Sequence, residues 1–207
     1  NPNFAEAHLN LGNILKNMGK LKEAELSLRK SIDINPNFAE AHFNLGNILN
    51  SLGELGKAEL SLRKSIEINP NFADSHSNLG KILIDLGKPK EAKNEWIKAI
   101  ELAPNLINAI DELTRQFYYE EEYELAIKYL KEIKSDKCQS LYLGCLLSLD
   151  KEKEFTEKYQ ELSQKKVCDA NIGGIVEHAN IAYGKKYESP FCNEAIKYVL
   201  IDKINEE

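Results

Sequence analysis

No apolar run in this chain of 207 residues approaches the roughly 18 residues that a membrane-spanning helix needs, so a span is excluded. Basic residues are in deficit. Lys and Arg number 27 against 33 Asp and Glu, and the formal charge of −6 argues against nucleic acid or anionic lipid as the main partner, because both reward a basic surface. Cysteine is sparse: Cys138, Cys145, Cys168 and Cys192 stand outside any C-x-x-C pair. That pattern suits a reducing compartment, and a cytoplasmic location is expected. There is no glycine-rich phosphate loop, no paired catalytic group and no cluster of metal ligands, so neither an enzyme nor a cofactor or metal site is expected. No secretory leader is recognisable, although the chain opens at Asn1 rather than methionine, and we expect it to be a fragment. With 29% charged and 43% hydrophobic residues it should fold as a soluble protein of one or two domains.

What is present is a repeat. Asn-Pro-Asn-Phe occupies residues 1–4, 35–38 and 69–72, and Ala103-Pro104-Asn105-Leu106 keeps the same spacing of 34. The text between also recurs: residues 5–15 return, little changed, as 39–49 and again as 73–83.

Each unit reads as two helices. Leu11, Ile14, Leu15 and Met18 lie at helical spacing and end at Gly19, which accepts the left-handed conformation common just past a helix end. Ala24, Leu28, Ser31 and Ile32 share a face of the second helix, and Pro36 denies it a further backbone donor. Asn37 with Glu40, Asn3 with Glu6 and Asn71 with Asp74 are expected to cap the helices that follow.

The unit resembles the tetratricopeptide repeat, in which a bulky residue, Leu-Gly, a large residue, Ala, an aromatic, a small residue and Pro recur in order. In the third copy these are His76, Leu79-Gly80, Leu83, Ala92, Trp96, Ala99 and Pro104; in the first, His8, Leu11-Gly12, Leu15, Ala24, Leu28, Ser31 and Pro36. The resemblance implies an all-α fold, a right-handed superhelical solenoid of antiparallel helix pairs. Four repeats are expected at about 5–38, 39–72, 73–106 and 107–140, the fourth carrying Ile110, Leu113, Phe117, Tyr123, Ala126, Leu130 and Ile133, with Thr114 where glycine is usual. Residues 141–207 should hold a degenerate fifth repeat, with Leu143-Gly144, Leu147, Phe155, Tyr159 and Leu162 and a turn about one residue shorter, followed by capping helices near 169–183 and 193–205.

Two expectations concern the ends. Opening inside an inter-repeat junction, as though an earlier repeat had been cut away, the first helix should expose an apolar edge through which the chain could form a homo-oligomer. Residues 189–199, from Ser189-Pro190-Phe191-Cys192-Asn193 to Val199, are similar to the stretch that joins tetratricopeptide arrays to an iron/2-oxoglutarate oxygenase-like domain in some marine bacterial proteins. None of the four histidines offers the His-x-Asp pair of such an oxygenase, so its chemistry would lie beyond Glu207.

The candidate binding residues follow from helix geometry. Residues three apart share a face, and Asn10 with Asn13, Asn44 with Asn47, and Asn78 with Lys81 recur on the first helix of each unit. In the family that face lines the concave groove, and the arrangement resembles the asparagine ladder of O-linked N-acetylglucosamine transferase. A primary amide both donates and accepts, so such a ladder can hold an extended peptide backbone. The competing reading is that these asparagines are surface filler of recently duplicated repeats. Leu9 and Phe43 would add apolar contact, Glu6, Glu40 and Asp74 negative charge, Lys81 and Arg115 positive charge, and Tyr118 or Tyr119 an aromatic surface. The carboxylate clamp of chaperone-binding relatives is incomplete: Asn13 and Asn44 match it, but Leu9, Asp74 and Asn78 replace its basic residues. His8, His42 and His76 cannot share a metal, because packed helices lie roughly 8–10 Å apart and zinc needs each nitrogen at about 2 Å. They are expected to fill the bulky inter-helix position, and Cys138 and Cys145 to be buried free thiols.

The function expected is a non-enzymatic scaffold that binds an extended protein or peptide segment in the concave groove, with no nucleic-acid or membrane partner. The alternative is a substrate-docking or regulatory arm of a larger enzyme of oxygenase or glycosyltransferase type.

Overall fold

The computed structural model describes residues 2–131, 138–165, 170–184 and 187, in two compact units, residues 1–112 and 113–207. The first contains α1 (Pro2–Asn17), α2 (Leu21–Ile34), α3 (Ala39–Ser51), α4 (Leu55–Ile68), α5 (Ala73–Asp85) and α6 (Pro89–Leu102). The division falls within α7 (Ile107–Tyr119). Helices pair as α1 with α2, α3 with α4 and α5 with α6, and α2 packs on α3 as α4 does on α5. We call the first helix of each pair the A helix and the second the B helix.

Glycine closes each A helix for a physical reason. Gly19, Gly53 and Gly87 adopt φ of +74°, +77° and +72°, where a side chain would be strained. In each case the glycine amide reaches back three residues and the next amide five, as in Gly19 N–H to the Lys16 carbonyl and Lys20 N–H to the Leu15 carbonyl, both at 2.9 Å. Two carbonyls of the last turn are thereby satisfied in each A helix.

The opposite ends differ from expectation. The N-cap residues of α3 and α5 are Phe38 and Phe72, and neither helix has a side-chain cap. Asn37 and Asn71 lie one residue too early to cap. The preceding asparagines act instead: the Asn35 side-chain oxygen accepts from the Asn37 amide and that of Asn69 from the Asn71 amide, each at 3.2 Å, folding the chain around the intervening proline. The α1 helix runs from Pro2 itself.

The core is a knob-and-hole contact within each pair. Gly12, Gly46 and Gly80 on the A helices face Leu28, Leu62 and Trp96 on the B helices. A methyl group at Gly12 or Gly46 would lie 2.8 Å from the leucine Cγ, and one at Gly80 would overlap the indole. Ala24, Ala58 and Ala92, all fully buried, allow the two backbones to approach. The hydroxyls of Ser31 and Ser65 donate to the carbonyls of Ala5 and Ala39 at 2.7 and 2.9 Å, tying B to A where the third pair has Ala99.

Phe4, Leu11 and Ile14 on α1 and Met18 just past its end form an exposed stripe, each between 45 and 62% accessible. One and two repeats on, the counterparts of Leu11 and Ile14 are Leu45 with Ile48 and Leu79 with Ile82, all at 4% or less, because the B helix of the preceding pair lies against α3 and α5.

In the second unit, α9 (Gln139–Ser148) packs against α8 (Tyr123–Leu130), α10 (Glu152–Gln164) and α11 (Ala170–Tyr183). The turn after α7 and that after α9 repeat the backbone pattern of the earlier glycines with Glu121 (φ 60°) and Asp150 (φ 53°). Leu113, Phe117, Ala126, Leu130, Leu143, Phe155, Tyr159 and Leu162 are buried; Ile133 lies outside the described residues. The helix expected near 193–205 and the stretch 189–199 also lie outside them. Cys138 and Cys145 are buried free thiols, and burial pushes the Cys145 pKa up to about 12, which leaves it a poor nucleophile.

Candidate functional site

The A helices bring the asparagines together across repeats. The Asn78 side-chain amide donates to the Asn47 side-chain oxygen at 2.7 Å, joining α5 to α3. This rung uses one donor and one acceptor and leaves an NH donor on each amide and the Asn78 oxygen outside it. One repeat further, Lys81 and Glu112 occupy the same two positions, with their charged atoms 3.8 Å apart. The ladder therefore passes from paired amides to an ion pair along the first unit. Asn13 and Asn44 hold the corresponding positions one repeat earlier, both half-buried, and Asn10 is exposed.

Glu112 escaped the sequence reading, although its position 34 residues after Asn78 carried the signal. Leu9 is half-buried, and the Phe43 ring rests on Phe72 with centroids 4.9 Å apart and planes tilted by 41°, so one face of Phe43 is already occupied. Arg115 and Tyr118 belong to the second unit. Arg115 is exposed; the Tyr118 ring meets Tyr123 edge-on at 5.3 Å and covers Gly144, where a methyl group would lie 3.5 Å from its Cε2. Tyr119 points outward, 71% accessible.

The histidines do not behave alike. His8 and His42 are half-buried, while His76 is buried, its Nδ1 2.7 Å from the Glu95 carboxylate and its Nε2 3.0 Å from the Pro70 carbonyl. Both ring nitrogens meet acceptors, so only the doubly protonated ring donates to both. The Glu95 hydrogen bond raises the His76 pKa above its usual 6.5, against the opposing effects of burial and Lys98. A group with a raised folded pKa stabilises fully below its unfolded pKa and loses that contribution as pH rises through the folded value. Stability should thus fall as pH climbs from about 6.5 through the raised value, and Glu95→Gln should flatten this slope. Urea midpoints measured above about pH 5.5, where carboxylates remain ionised, test it; equal slopes in the two proteins would refute the pair's role. Among the described residues no three potential metal ligands lie together, and no helix is long and apolar enough to cross a membrane.

The tetratricopeptide repeat profile matches residues 5–38 and 39–72, and a second tetratricopeptide repeat profile matches 61–94. Residues 5–94 are tetratricopeptide repeats. Among the described residues every regular element is a helix, and the fold is of the tetratricopeptide-solenoid type, as the structural neighbours show. MamA shares 25% identity and a TM-score of 0.59 over 74% of this chain and 83% of that one. PilF of Pseudomonas aeruginosa has 19% identity and a TM-score of 0.70, over 86% and 83% of the two chains. The first tetratricopeptide domain of Spaghetti (RPAP3), solved with the HSP90 peptide SRMEEVD, has 24% identity and a TM-score of 0.56, over 57% and 94%. No curated protein matched. The matches to the repeat profiles end at residue 94, so none reaches the stretch likened to an oxygenase linker. Tetratricopeptide repeats of this kind support a protein-interaction scaffold.

Proposed function

We propose that the first unit is a non-enzymatic scaffold whose A-helix ladder grips an extended segment of a partner protein. The observation that carries the reading is the Asn47–Asn78 rung, followed in register by Lys81–Glu112. Amides held in fixed orientation by one another present donors and an acceptor that match the alternating C=O and N–H of an extended backbone, with little regard for its side chains. The ion pair supplies charge selectivity at one end, where an acidic or basic side chain of the segment competes for Lys81 or Glu112. The first tetratricopeptide domain of Spaghetti (RPAP3), a neighbour in fold, was solved with an HSP90 peptide, and this supports a peptide ligand here.

The test is a random-sequence peptide array probed with the whole chain and with an Asn10→Ala, Asn44→Ala, Asn78→Ala triple variant, both checked for helicity by circular dichroism. Each amide lost removes about 1 kcal/mol of hydrogen bonding, so affinity for the binders should drop about ten- to a hundredfold. Binders retained at full strength by the folded variant would make the ladder surface filler and sink the reading.

A further inference from the structure

A cavity of about 370 Å³ opens between α2, α3 and α4, lined by Arg29, Asp33, His42, Leu60, Ser61 and Lys64 among others. Two B helices and an A helix build it, so it is a different surface from the A-helix ladder. Its chemistry becomes legible by comparison with the next repeat. There the counterparts of His42, Ser61 and Lys64 are His76, Glu95 and Lys98, and the Glu95 carboxylate lies 2.7 Å from His76 Nδ1. His42 is held in the same way as His76, its Nε2 2.9 Å from the Pro36 carbonyl against 3.0 Å to that of Pro70. The same nitrogen, Nδ1, therefore faces Ser61 and the cavity. Among the described residues no carboxylate forms an ion pair with His42: Arg29 is engaged by Glu25 and Lys64 by Glu67, each on its own helix, and Asp33 pairs with none of the three. In the lining Leu60 is 70% accessible, where the next repeat has Asn94.

The geometry points to a second ligand site in this cavity, for a protein segment that places an aspartate or glutamate side chain against His42 and an adjacent apolar side chain on Leu60. The ligand carboxylate takes the place that Glu95 fills one repeat on, accepting from His42 Nδ1 and the Ser61 hydroxyl, with Lys64 and Arg29, each shared with a carboxylate of its own helix, and Asp33 completing the charged lining. The chain contains its own template for the complex, which is why a carboxylate rather than another anion is the occupant. Charge-assisted bonds of this kind hold orientation better than neutral ones.

The probe is acetyl-Leu-Glu-amide, in which the side chain is the sole carboxylate, with acetyl-Leu-Gln-amide as its neutral counterpart. Titration into the whole chain is followed through the assigned ring resonances of His42. A saturable shift is expected with the glutamate probe and at least about tenfold weaker binding with the glutamine probe. Ser61→Glu, which copies the third repeat and so suits the fold, should abolish the response, and Lys64→Gln, an exposed change, should weaken it. The triple asparagine variant should respond like the unaltered chain, separating this site from the ladder. Equal binding of the two probes, or a Ser61→Glu protein that still responds, would overturn the proposal.

Discussion

Replacing Trp96 with alanine should cost about 3–5 kcal/mol, the largest loss from a single side chain in the first unit. The indole is 1% accessible and its Nε1 donates to the Ser77 carbonyl at 3.0 Å. Truncation leaves both a cavity and a buried carbonyl without that donor, and these two penalties reinforce each other. Because each repeat is stabilised chiefly by its neighbours, α5 and α6 should loosen together with the flanking α4. Since Trp96 is the only tryptophan, unfolding must be followed by circular dichroism in denaturant rather than by indole fluorescence. Trp96→Leu, which recreates the Gly–Leu contact of the first two pairs, should recover part of the loss. A midpoint unchanged by Trp96→Ala would mean that the contact between α5 and α6 is wrongly assigned.

Gly80→Ala is expected to be the costliest addition of a single methyl group, at about 1–3 kcal/mol. The new methyl would overlap a rigid indole, whose nearest atoms belong to the ring itself. At Gly12 the same substitution meets Leu28 Cγ at 2.8 Å and Cδ2 at 3.0 Å, the tip of a side chain that can change rotamer. Alanine also favours helix over glycine by about 1 kcal/mol, so the change at Gly12 should nearly cancel while that at Gly80 should not. Combining Gly80→Ala with Trp96→Leu gives a sharper measurement. The pair should be clearly non-additive, the smaller partner relieving the overlap. Additive losses at the two positions would show that they do not touch.

These two residues also show what was legible in advance. Gly80 and Trp96 stand in one register with Gly12 and Leu28, and a period of 34 repeated in strict order is enough to place A helix, turn and B helix. The left-handed turn at Gly19, Gly53 and Gly87 was readable because glycine is the residue that tolerates it. Glu121 and Asp150 adopt the same φ without a glycine to mark the turn; aspartate tolerates that region through its short polar side chain, whereas glutamate gives no local sign of it. The sequence places the helix cap one residue early because Asn35 and Asn37 are both good turn and cap formers, and only backbone geometry decides between them. The pairs His76–Glu95 and Lys81–Glu112 join residues on different helices, so no local spacing announces them, and only the 34-residue register of Glu112 with Asn78 hints at the second. Of the residues expected in the groove, Asn47 and Asn78 bond to each other and Lys81 pairs with Glu112, whereas Phe43 is partly committed to Phe72.

The ladder has a consequence for how such a molecule changes over generations. Its rungs, Asn47 with Asn78 and Lys81 with Glu112, sit on the half-exposed side of the A helices, while Gly46, Gly80, Leu62 and Trp96 lock the opposite side to the B helices. Duplication of a unit copies both at once. Afterwards a rung can drift from amide to ion pair with little effect on the helix-to-helix lock, so the chemistry of this face is free to diversify while architecture is inherited intact.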